Sequence, residues 1–182
     1  MVWPPWVRLR FDHWPNLNLA RGGQTIANLV IVPLDATGRV RLFTLGPSHL
    51  IADVMGYITD TGAPASSAGL FTPIRPGRIR DTRTEAARVG PQGRITVSNP
   101  LAGTNPSALL LNVTATETLG SGYLQVYPTG AAVEQTSSNV NIERAGQTIP
   151  NAAVATLSAG DQFNVYSLGA SHVVLDTSGW FS

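Results

Sequence analysis

Two serine–histidine pairs, each followed by an aspartate four residues beyond the histidine, are the residues that most invite a catalytic reading. Ser48-His49 precedes Asp53, and Ser171-His172 precedes Asp176. A hydrolase triad joins such groups by contacts of about 2.6–3.2 Å. In an extended chain, neighbouring residues point to opposite faces, and His and Asp four apart lie roughly 13 Å from each other. These residues therefore predict scaffold duties: capping of turns by Ser or His, and backbone amides held by the strand-end Asp before Gly56 or Gly179. No convergent nucleophile, base and oxyanion set can be built from the sequence, so no enzyme is expected.

The charged residues are the next candidates. All 12 basic residues are Arg, set against 11 acidic ones for a net charge of +1, and Lys and Cys are both absent. This excludes Schiff-base chemistry, the P-loop ammonium, disulfides, thiolate metal sites and Lys-to-Asn crosslinks. Residues 75–94 carry Arg75, Arg78, Arg80, Arg83, Arg88 and Arg94 against only Asp81 and Glu85, whereas residues 95–182 carry Arg144 against five acids. Arg forks suit phosphate or sulfate, so Arg75, Arg78, Arg80 and Arg83 are candidate contacts to an anionic polymer. Alternatively the basic and acidic ends associate head to tail, or Asp81 pairs with its neighbours and fixes a loop. The low net charge and the lack of aromatics among the Arg residues argue against nucleic acid.

Trp3, Trp6 and Trp14 could stack on sugar rings, or could anchor a core or interface. In Gly-Gln-Thr followed by Asn28, and again by Asn151, the amides are expected to tie turns to neighbouring strands. Three His and scattered carboxylates show no metal-ligand spacing, and neither metal nor cofactor is expected. The sequon Asn112-Val113-Thr114 falls within an expected strand and is read as incidental.

The elements that position these residues come in an internal repeat. The 44 residues from Asn16 align without gaps on the 44 from Asn139, at an offset of 123, with 16 identities. Among these are Gly23 with Gly146, Gln24 with Gln147, Asn28 with Asn151, His49 with His172, Asp53 with Asp176 and Gly56 with Gly179. With a one-residue gap, Val2-Trp3-Pro4 also matches Val126-Tyr127-Pro128. The expected organisation is the C-terminal half of a β repeat in residues 1–60, then a full β repeat in residues 61–182 that begins with a Thr/Gly/Ala/Pro/Ser connector. A half-repeat leaves a strand edge and an apolar face to be completed.

The local pattern is β throughout. Leu111, Val113 and Ala115 alternate with Asn112, Thr114 and Thr116, and Phe163 and Val165 alternate with Gln162 and Asn164. Glycine-containing breaks recur along the chain, and no long window carries a helical stripe, with at most one turn near Thr84 to Arg88. The expected fold is an all-β antiparallel sandwich, jelly-roll-like. No stretch reaches the roughly 18–20 apolar residues of a membrane helix. Met1 to Arg10 has two prolines where a signal peptide would carry its apolar segment.

The motifs GLFTPIRPGRIRDTRT (Gly69 to Thr84), GYLQVYPTG (Gly122 to Gly130), SSNVNIERAGQTIPNAAVATL (Ser137 to Leu157) and SHVVLDTSGWFS appear in that order. Together they resemble a β-rich repeat of about 120 residues, found in secreted and cell-surface proteins of high-GC Gram-positive bacteria and their relatives. The resemblance spans nearly the whole chain. It implies an extracellular, non-catalytic structural or adhesion module, repeated in tandem or appended to other domains, with no cofactor. Expected partners are further copies of the chain, as an oligomer or filament completed by β-strand complementation, or other β modules of the same parent protein. The alternative is a module that binds carbohydrate or cell-wall polymer.

Overall fold

The computed structural model describes residues 15–60, 62–101, 103–133 and 137–182. Eight strands follow one another: β1 (Phe71–Asp81), β2 (Gly93–Ser98), β3 (Ala108–Thr116), β4 (Gly122–Pro128), β5 (Val140–Ile142), β6 (Ile149–Thr156), β7 (Gln162–Ser167) and β8 (His172–Phe181). Among the described residues there is no helix, and Thr82 to Ala86 form only turns. The strands build two antiparallel sheets ordered β1-β8-β3-β6 and β2-β7-β4-β5, and these pack face to face. This is the strand order of a jelly roll, an all-β sandwich.

Alternation in the sequence becomes burial in the core. Leu109, Leu111, Val113 and Ala115 of β3 are at most 1% exposed, while Asn112 faces solvent. They meet Leu124 of β4, Phe163 and Val165 of β7, and Val173 and Leu175 of β8. Each of these Leu, Val and Phe side chains contributes about 1.5–3 kcal/mol by leaving water. Asn164 departs from simple alternation: although it points away from the core, it is buried, and its amide oxygen accepts from Thr96 Oγ1 at 2.8 Å. β1 is an edge strand, which accommodates Pro73 and Pro76, and its register slips at two bulges. Next to it, Gly179 in β8 lies beneath the Phe71 ring, and a Cβ there would collide with that ring and approach Thr72 O at 3.0 Å.

The pairing pattern interleaves the two halves of the repeat. β8 lies between β1 and β3, β7 lies between β2 and β4, β6 pairs only with β3, and β5 pairs only with β4. No strand of the second half, β5 to β8, pairs with another of that half. The first half, β1 to β4, therefore supplies every ladder partner of the second.

Residues 16–59 repeat the sequence of that second half, yet residues 15–60 contain no strand. Several of their turn bonds nevertheless recur at the equivalent positions of the second half. Gln24 Oε1 accepts from Ala20 N at 2.8 Å as Gln147 Oε1 accepts from Glu143 N at 2.7 Å. Asn28 Nδ2 donates to Asn16 O at 2.5 Å as Asn151 Nδ2 donates to Asn139 O at 2.7 Å. Gly38 N donates to Asp35 O and Asp161 N to Ser158 O, both at 2.9 Å. Local chemistry is thus retained where ladder partners are missing.

Candidate functional site

The basic corner is organised by the end of β1. Asp81 there receives the Arg83 fork, with Nε donating to Oδ1 at 2.9 Å and Nη2 to Oδ2 at 2.7 Å, and also Arg78 Nη1 at 2.9 Å. Arg78 reaches across to β8, where its Nε donates to Asp176 Oδ1 at 2.5 Å. The hydrogen bonds from Arg83, helped by the Arg78 charge, hold the Asp81 carboxyl far below the usual carboxylate range. In turn, the bond to Asp176 raises Arg78 and the bond to Asp81 raises Arg83. Arg80 pairs with Glu85 at 2.6 Å, and Arg88 pairs with Glu117 at 3.5 Å. Of the six Arg residues in this region, Arg75 and Arg94 make no ion pair with another described residue, and both are exposed.

The Ser-His-Asp residues part company. Ser171 is fully buried, and its hydroxyl bonds Ser167 Oγ at 3.2 Å. His172, one residue on, directs Nδ1 to Thr82 Oγ1 at 3.0 Å, and that oxygen also accepts from Val173 N at 2.9 Å. Asp176 is occupied by Arg78. Thr82 is completely buried, so its contact with His172 pins the turn after β1 to β8 and gives no reactive hydroxyl. Sequence reading missed Thr82, although it sits inside the D-T-R motif. It also missed Thr118, whose hydroxyl donates to Arg144 O at 2.8 Å and accepts from Gln147 N at 2.9 Å. A threonine at a strand end is the only signal either position gives.

The equivalent residues of the first copy stand open. His49 and Asp53 are exposed and bond no described partner, and Asn28 is exposed apart from its own turn. The apolar positions are open as well. Leu42 is 60% exposed where its counterpart Val165 is 0%, and Leu50 is 55% exposed where Val173 is 0%. Among the described residues two hydrogen bonds tie this stretch to the sandwich, Arg21 Nη2 to Glu143 Oε2 at 2.9 Å and Leu29 N to Asn151 Oδ1 at 3.3 Å, and Arg21, Gly23 and Thr25 line a cleft with Gly122, Tyr123 and Glu143. Trp3, Trp6 and Trp14 lie outside the described residues.

Ser171, His172 and Asp176 bond Ser167, Thr82 and Arg78 respectively and do not bond one another, so these three residues form no triad. Among the described residues no group of three or more His, Asp or Glu could hold a metal, and no helix is long and apolar enough to cross a membrane. No protein-family model matches the sequence, and no curated protein matches it.

Proposed function

We propose that this chain is a non-catalytic structural or adhesion module of a secreted or cell-surface protein, joined to other β modules by strand complementation. One observation carries the reading: residues 16–59 match β5 to β8 in sequence and in several turn bonds, have no ladder partner among the described residues, and hold apolar side chains in water. Such a stretch adds to other sheets through its free backbone groups.

Counting defines the form of self-association. Among the described residues one first half, β1 to β4, is paired with residues 139–182, and the second copy of that second half, residues 16–59, stays open. β1 to β4 of a neighbouring chain are already filled by their own residues 139–182, so association of identical chains runs through the open stretches pairing edge to edge. Light scattering behind a sizing column is expected to give a mass that climbs with concentration. A constant 19.2 kDa over a wide concentration range would refute pairing of identical chains through the open stretch. Against polymer binding as the main role, four of the six Arg residues in residues 75–94 already hold carboxylates.

A further inference from the structure

The geometry points to a specific occupant for the uncovered stretch: a first half of the β1 to β4 pattern, other than the one at residues 71–128, with Arg at the Arg78 position and Thr at the Thr82 position. This rests on the complementation reading and adds to it what the partner must look like. The second copy in the same chain shows what covers each equivalent group. Asp53 is the counterpart of Asp176, which Arg78 binds. Asp53 has no described cation beside it, and a β1-type strand would bring one by charge complementarity. His49 is the counterpart of His172, and a Thr in the following turn would take its ring nitrogen as Thr82 does. Gly56 is the counterpart of Gly179 and leaves the space that a Phe71-type ring fills.

Core volumes make the occupant distinct from the first half already present. Ala153 and Ala155 sit opposite Leu111 and Leu109 of β3, but the first copy has the larger Val30 and Val32 at these positions. The two large buried residues Phe163 and Leu175 are replaced by the smaller Val40 and Ala52. A first half matched to residues 16–59 therefore carries smaller side chains than Leu109 and Leu111 on its third strand. It carries larger ones around the places that Phe163 and Leu175 fill here. Volume mismatch in a close-packed core is destabilising in either direction. That β1 to β4 of this chain hold residues 139–182 and leave residues 16–59 open agrees with this mismatch.

The test extends the intact chain by joining a copy of its residues 70–125 in front of Val2. It is made in two versions, one unchanged and one with the core of the first copy matched by Val30→Ala, Val32→Ala, Val40→Phe and Ala52→Leu. In the matched version, amides of residues 26–33 and 49–58 are expected to exchange about a hundredfold more slowly or better, and the concentration-dependent rise in mass is expected to vanish. The unchanged version is expected to be less protected than the matched one. Asp53→Arg in the matched version should abolish protection at residues 49–58 while sparing residues 172–181. Arg78→Asp in the added segment should restore it. A matched chain that stays unprotected at residues 49–58 overturns the assignment of the occupant. If the unextended chain still associates, complementation itself survives that result. If it never associates, pairing through the open stretch falls, and the occupant stands or falls on the protection of the matched chain alone.

Discussion

Phe163 is the largest of the fully buried side chains, at 0% exposure on β7 between β2 and β4, and truncating it gives the sharpest test of the core. Phe163→Ala removes a ring from a close-packed interior that relaxes only in part, which costs about 3–5 kcal/mol. Against a typical total stability of about 5–15 kcal/mol, that loss takes a large share of the margin. With a urea slope of about 2 kcal/mol/M, the unfolding midpoint should fall by about 2 M. Far-UV circular dichroism in urea, at protein concentrations low enough to suppress association, reads this directly. The matched control is Val40→Ala, at the equivalent position of the first copy, where the side chain is 48% exposed. Surface truncations of this kind stay within about 0.5 kcal/mol, so the control midpoint should move by less than about 0.3 M. A Phe163→Ala shift below about 0.5 M, or equal shifts in the two variants, would refute the assignment of one covered and one uncovered copy.

Further expectations concern single contacts. Gly179→Ala places a methyl group against the Phe71 ring and should cost about 1–3 kcal/mol; adding Phe71→Ala should recover part of that loss in a double-mutant cycle, and strict additivity would contradict the contact. Thr82→Val leaves Val173 N and His172 Nδ1 without their shared hydroxyl and should cost about 1–3 kcal/mol in thermal or urea unfolding, whereas a neutral result would mean that the turn is not pinned there. Asp81 has a folded-state pKa depressed by Arg83 and Arg78, so its stabilising contribution is fully present above the ordinary carboxylate range and is lost as pH falls through the folded value. Asp81→Asn should therefore be less stable than the parent at pH 7, with the gap narrowing as the medium is acidified below about pH 4; a gap that widens on acidification would contradict the assignment.

The sandwich was legible because burial follows side-chain period, as Leu111, Val113 and Ala115 show. The repeat was legible because the same turn chemistry recurs, down to the Gln24 and Gln147 bonds. The pairing of the two halves was not legible. Sequence similarity identifies equivalent strands, but the partner of a strand depends on contacts far along the chain, and nothing in residues 139–182 announces that their partners all lie in residues 71–128. Of the candidate site residues, Arg78, Asp81, Arg83 and Asp176 come together in one charged cluster. His172 joins Thr82 and lies 3.9 Å from Glu117. Neither neighbour could be foreseen from spacing, because Thr82 and Glu117 reach His172 through the fold and not through the local chain. Asn164 and Gln125 show the same limit, since both are amides buried on positions that alternation assigns to solvent.

The central claim is that one copy of the second half is covered and the other is not. Hydrogen–deuterium exchange on the dilute, intact chain, resolved to short peptides, tests it most directly, because residues 49–58 and 172–181 are equivalent by sequence and differ in their partners. The account predicts strong protection across residues 172–181 and exchange near the unprotected rate across residues 49–58. Equal protection of the two segments at concentrations where the chain has a mass of 19.2 kDa would contradict it.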